Sequence, residues 1–213
     1  MEKQKIQCQN CGTDIPVNMT EFVDISTDPV YKEKIMDGSF FMVKCPSCGD
    51  ETLVEYPVMY MDPSKKLTVY MVPDHEDDLL DNLNSLDVPE TDLDPEAEFR
   101  LVNCSSELLE KILLRDNNRD DRVIELYKAL ICENIKEDWP DVTPDAILYY
   151  KEPDDEYFII WDYVNAAGEQ LTVNLDEELY EDLKTNYISA MDIPLNKYAE
   201  VNNAWLLERV NVE

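Results

Sequence analysis

The sequence predicts an α+β protein: a small zinc-ribbon-like β unit with one inserted helix, followed by helices and an antiparallel sheet. Three observations carry that expectation. Two C-x-x-C-G motifs bracket a short helical segment in the first fifty residues. Strand-like runs follow one another through short polar turns. One long amphipathic helix opens the C-terminal half. Consecutive strands joined by tight turns pair antiparallel, whereas a doubly wound sheet needs a helix after nearly every strand.

In chain order, Asp28 is placed to cap a helix over 29–36, with Pro29 at its first position and Gly38 as the left-handed stop. Residues 40–44 read as a strand, and so do 52–60 with a break at Pro57. Asp62-Pro63-Ser64-Lys65 is a turn signature returning the chain into a strand over 67–72. Residues 99–103 read as a further strand, and Ser105 or Ser106 can cap a helix running to Leu114. The strongest helix covers 120–136, where Ile124, Tyr127, Ile131 and Ile135 recur at helical spacing between acids at the start and Lys136 at the end. Strands are expected at 146–151, 157–163 and 169–174, with a turn at 165–168 between the last two. A helix over 177–190 and a last strand over 204–210 complete the chain.

Charge divides the 213 residues into three regions. The whole chain carries 18 Lys and Arg against 48 Asp and Glu, a net of −30. Residues 1–73 contribute −4, residues 74–98 contribute −11 without a single Lys or Arg, and residues 99–213 contribute −15. The expected organisation is a cysteine-bearing unit at 1–73, an acidic linker at 74–98 and an α+β region at 99–213. A like-charge run containing prolines resists packing, although 78–83 can form one helical turn within it. So acidic a chain is unsuited to neutralising phosphates or docking on anionic lipid. A single His, His75, removes most histidine-based acid–base and triad chemistry and reads as an exposed residue in the acidic stretch. No run approaches the ~20 apolar residues of a membrane span. The first residues lack the apolar core of a signal peptide, so a cytoplasmic, thiol-reducing location is expected.

Cys8-Gln9-Asn10-Cys11-Gly12 and Cys45-Pro46-Ser47-Cys48-Gly49 are matched. Two sulfurs two residues apart on a tight turn can occupy adjacent corners of one tetrahedron around Zn²⁺, and the following Gly permits the positive-φ turn that aims backbone N–H groups at the thiolates. Cys8, Cys11, Cys45 and Cys48 are therefore the predicted ligands of one structural zinc ion. A thioredoxin-type site would use one pair opening a helix, iron–sulfur clusters use other spacings, and two disulfides would suit an oxidising compartment. A closed four-cysteine site is structural by default because no coordination position stays open.

These paired motifs, the Pro in the second, the helix Asp28-Pro29-Val30-Tyr31-Lys32-Glu33-Lys34-Ile35, and the runs Leu109-Glu110-Lys111-Ile112 and Asp120-Asp121-Arg122-Val123-Ile124-Glu125 resemble the CpXC domain family over roughly residues 5–135. The family is bacterial and archaeal, is named for two such cysteine motifs and has no assigned reaction. The resemblance thus implies the metal site and adds no chemistry to it. The first motif departs from the family name in having Gln9 where Pro would stand, a small change because sulfur performs the ligation and Pro only stiffens the turn.

Cys104 and Cys132 read as small buried apolar residues rather than nucleophiles. Asp120/Asp121 and Asp154/Asp155/Glu156 read as a helix start and a polar turn rather than a catalytic set. Tyr149, Tyr150, Tyr157, Trp161 and Tyr163 read as cross-strand packing, with a protein-binding face as the alternative. No phosphate-binding glycine loop and no nucleophile elbow is present. The expected function is a non-enzymatic interaction or regulatory module whose partner protein presents a basic surface. The alternatives are a nucleic-acid-binding ribbon acting through residues 1–73, an acidic mimic of nucleic acid, and an enzyme with its site in 99–213.

Overall fold

A computed structural model of the chain describes residues 4–85, 94–138, 144, 146–164 and 170–210. The chain forms two compact units, Met1–Leu109 and Glu110–Glu213.

The N-terminal unit opens with a hairpin, β1 (Gln4–Gln7) and β2 (Asp14–Val17), in which Ile6 faces Ile15. β3 (Phe22–Asp24) leads to helix α1 (Val30–Met36). Asp28 does not cap that helix. Pro29 already has helical backbone angles and occupies the cap position without a side-chain bond. The polar turn is made one step earlier, where the Asp24 carboxylate accepts from both the backbone N–H and the hydroxyl of Ser26. Gly38 takes the expected left-handed conformation at φ +77°.

The strand expected at 40–44 is shorter. A 3₁₀ turn, Ser39–Phe41, starts on the Asp37 carboxylate, which accepts the Ser39 N–H, and carries Phe41 into contact with Phe40 and Tyr56. The strand itself is β4 (Met42–Lys44), and it pairs antiparallel with β5 (Glu51–Leu53). Pro57 does more than interrupt 52–60, because β5 and β6 (Val58–Asp62) belong to different sheets. A proline cannot donate to a ladder, and here it marks the crossing between the two.

β6 and β7 (Leu67–Met71) form the predicted hairpin. Its turn is held by Asp62, whose carboxylate accepts from the Ser64 hydroxyl, the Lys65 N–H and the Lys32 ammonium. Val58, Tyr60, Leu67, Val69 and Met71 alternate into the core, as period-two burial requires. Two pairings are parallel: β3 with β6, and β7 with β8 (Glu98–Val102). Parallel neighbours need a long crossover. For β3 and β6 that crossover is α1 with the β4–β5 hairpin. For β7 and β8 it is the acidic stretch, which contains α2 (Leu79–Asn84) at the expected helical turn. Within this unit the strand order is β8-β7-β6-β3.

The boundary between the units falls inside helix α3 (Ser105–Asp116). The C-terminal unit continues with α4 (Asp121–Asp138), whose Ile124, Tyr127, Ile131 and Ile135 are all buried, as their spacing predicts. A three-stranded antiparallel sheet follows, ordered β11-β10-β9, from β9 (Ile147–Lys151), β10 (Glu156–Val164) and β11 (Gln170–Asn174). Tyr127 stacks on Phe158 of that sheet at 4.9 Å. The turn expected at 165–168 lies outside the described residues. Helix α5 (Glu177–Tyr187) is capped by Asp176, whose carboxylate accepts the Leu179 N–H, and ends in a 3₁₀ turn, Ile188–Ala190.

The last strand expectation is corrected. Residues 203–207 form α6 (Asn203–Leu207), because the Asn202 side chain accepts the Trp205 N–H and nucleates a helical turn that outweighs the strand-like run of apolar residues.

Candidate metal centre

The two C-x-x-C-G motifs close the two small hairpins, β1–β2 and β4–β5, with the same backbone. The Cys8 N–H donates to the Thr13 carbonyl at 2.9 Å, and the Gly12 N–H returns a bond to the Cys8 carbonyl at 2.8 Å. In the second knuckle the Cys45 N–H donates to the Asp50 carbonyl at 2.7 Å and the Gly49 N–H to the Cys45 carbonyl at 2.9 Å. Gly12 and Gly49 sit at φ +72° and +78°, a conformation that L side chains rarely adopt.

The four predicted ligands converge. Each close sulfur pair crosses from one knuckle to the other: Cys8 to Cys48 at 3.6 Å, and Cys11 to Cys45 at 3.6 Å. All four Sγ atoms lie within 4.8 Å of one another. A metal–sulfur bond of about 2.3 Å implies tetrahedron edges of about 3.8 Å, so the arrangement fits one tetrahedral ion. Among the described residues this is the one group of Cys, His, Asp or Glu so arranged.

The first cysteine of each knuckle points inward. Cys8 and Cys45 are buried with Ile15, and Ile6 and Val43 pack against them. Cys11 and Cys48 face solvent. Without a cation the thiols ionise unequally. The Thr13 hydroxyl and backbone N–H beside Cys11 bring it down to about 6. For Cys48 the Asp50 N–H acts downward, but lost hydration and the three neighbouring thiols outweigh it and push Cys48 up to about 12. Four sulfurs held this close favour a soft or borderline divalent cation, which neutralises their crowding.

Side chains that the sequence reading did not single out complete the surroundings. Asn10 Nδ2 donates to Cys48 Sγ at 3.9 Å, Thr13 Oγ1 lies 3.2 Å from Cys11 Sγ, and Gln7 Nε2 donates to the Gly12 carbonyl at 3.2 Å. Only their place within or beside the C-x-x-C spacing hinted at them. Lys5 and Lys44 flank the knuckles, paired with Asp14 at 4.0 Å and Glu51 at 3.4 Å.

The remaining candidates are not members of this four-sulfur group. Cys104 is half-buried beside the Ser106 hydroxyl and Cys132 is half-buried on α4; burial pushes both thiols up. The Asp120 carboxylate takes three bonds from Arg122, and Asp121 forms a buried ion pair with Lys111 at 3.0 Å. Glu156 is bound by Arg119, Lys151 and the Tyr149 hydroxyl. Tyr149 is buried, whereas Tyr150 is exposed with its ring 5.6 Å from that of Tyr157; the side chains of Trp161 and Tyr163 lie outside the described ones.

Two cysteine knuckles on separate hairpins close around one four-sulfur centre, a ribbon-like arrangement compatible with holding a metal ion. The chain belongs to the CpXC family: the family described as CpXC protein matches residues 6–128, more than half of the chain. No curated protein matches the chain. No solved structure matches it either.

Proposed function

We propose that the centre holds one zinc ion in a structural role, and that the protein is a non-enzymatic interaction or regulatory module. The observation that carries this reading is the closed tetrahedron of sulfurs, which leaves no position for substrate or water. The small core of the ribbon supports the structural role. Its buried members are Cys8, Ile15 and Cys45, too little apolar surface to fold two hairpins unaided, so metal binding supplies folding free energy.

The reading places the protein in the reducing cytoplasm, where thiolates stay available to metal. Among the described residues no helix is long and apolar enough to cross a membrane. The net charge of −30 supports a partner with a basic protein surface, drawn in by long-range attraction. Nucleic-acid binding through residues 1–73 would draw on Lys3, Lys5, Lys44, Lys65 and Lys66, and is less well supported because, among the described ones, Lys5, Lys44 and Lys66 each already face an acid.

An enzymatic reading would use a cleft of about 220 Å³ lined by Arg119, Lys151, Asp154, Asp155, Glu156 and Glu177. Arg119 binds Glu156 and grips Glu177 with two bonds, and Lys151 also binds Glu156, so both cations of the cleft are committed to acids. Affinity capture with the zinc-loaded full chain at low salt tests the interaction role. A reproducible basic partner released by rising salt is expected, and capture of none would contradict the role.

A further inference from the structure

We propose that Asn10 is a positioning residue of the metal centre, reaching across from the first knuckle to stabilise the thiolate of Cys48 in the second. The inference rests on the reading that the four cysteines hold a metal.

The two knuckles share their backbone bonds but differ between the cysteines, with Gln9-Asn10 in one and Pro46-Ser47 in the other. Pro46 fixes its own φ and stiffens the second knuckle. The first lacks that ring and carries side-chain bonds instead. Gln7 ties to the Gly12 carbonyl within the knuckle, and Asn10 Nδ2 reaches Cys48 Sγ on the other hairpin. Ser47, the counterpart of Asn10, makes no such bond to a sulfur among the described residues.

The distribution of these contacts follows exposure. Cys8 and Cys45 are shielded by Ile15, Ile6 and Val43. Cys11 and Cys48, the sulfurs open to protons and competing ligands, each have a polar side chain of the first knuckle beside them: Thr13 at Cys11 and Asn10 at Cys48. A thiolate only accepts, so the Asn10 amide turns its NH₂ toward the sulfur. Four thiolates around a divalent ion carry a net −2, and an N–H aimed at one of them draws off part of that charge. Asn10 thus joins the hairpins by a contact that matters once the sulfurs are ionised.

The test uses the full chain loaded with zinc or with Co²⁺, comparing Asn10→Ala, Asn10→Asp and Ser47→Ala. Zinc affinity is read by competition with a chromophoric chelator, and the sulfur-to-Co²⁺ charge-transfer band is read by absorption. Asn10→Ala should weaken zinc about 10- to 100-fold, the usual range for a lost outer contact, and move the band to lower energy as the thiolate becomes more electron-rich. Asn10→Asp, which replaces the donor by a negative charge, should do more, and Ser47→Ala should do neither. Asn10→Ala with the affinity and band energy of Ser47→Ala and wild type would overturn the role of Asn10 while leaving the metal centre standing. A wild-type chain that binds neither ion would overturn the centre itself.

Discussion

Lys128 lies between two carboxylates, 2.7 Å from Glu110 and 2.8 Å from Glu125, and Glu110 also accepts the Tyr149 N–H at 2.6 Å. All three charged groups are nearly excluded from water, and the two acids hold the Lys128 ammonium well above its ordinary range despite its burial. Removing one member of such a set strands the others. Lys128→Met should cost about 3–5 kcal/mol in denaturant unfolding of the C-terminal unit. A Lys128→Met/Glu110→Gln/Glu125→Gln triple variant should cost less than Lys128→Met alone, because no buried carboxylate is then left without its cation and the amide oxygen at position 110 can still accept the Tyr149 N–H. Glu156 behaves differently with pH. Its burial would raise its pKa, but bonds from Arg119, Lys151 and Tyr149 win and hold it at about 2, below the ordinary 4.5. The stabilisation it contributes is therefore complete above pH 4.5 and is lost as pH falls toward 2. Thermal unfolding followed from pH 6 to 2 should show that loss, and Glu156→Gln should flatten it. Neither network was legible in the sequence: Glu110 stood out only within the run Leu109-Glu110-Lys111-Ile112 that resembles the family, and nothing in a local pattern marks Lys128 as a lysine whose ammonium is buried.

At the scale of the elements, legibility tracked how strong the local signal was. α4 declared itself through four apolar residues at helical spacing, and the β6–β7 hairpin through Asp62-Pro63-Ser64-Lys65. The β1–β2 hairpin did not, since Gln4–Gln7 and Asp14–Val17 are only four residues each, the first mostly polar and the second interrupted by Pro16, and what makes them strands is the knuckle that joins them. The parallel pairing of β7 with β8 was hidden for another reason: its crossover is the acidic stretch, which carries no apolar pattern connecting the two strands. The α6 segment was misread because a single cap, Asn202, decides it. Asn202→Ala should cost about 1 kcal/mol, measurable as reduced protection of the α6 amides in hydrogen exchange. In the knuckles, an added Cβ at Gly12 meets no atom within 4 Å, so the requirement there is one of φ rather than space. Gly12→Ala should therefore cost about 1–2 kcal/mol of backbone strain and speed zinc release to a chelator without moving the ligands of the second knuckle.

For the whole molecule, the four sulfurs that the spacing singled out come together across 33 intervening residues, because each C-x-x-C-G turn presents two sulfurs on one side of a tight turn and leaves room for a second pair of ligands. The charge of −30 is concentrated outside the ribbon, and on the proposed reading a zinc ion held by four thiolates would make the protein about two charges more negative still. Metal content tests the central claim most directly. Elemental analysis of reduced, full-length protein should find about one zinc per chain, and Cys45→Ser should lose it. Iron in its place, or no metal in the reduced protein, would contradict the account.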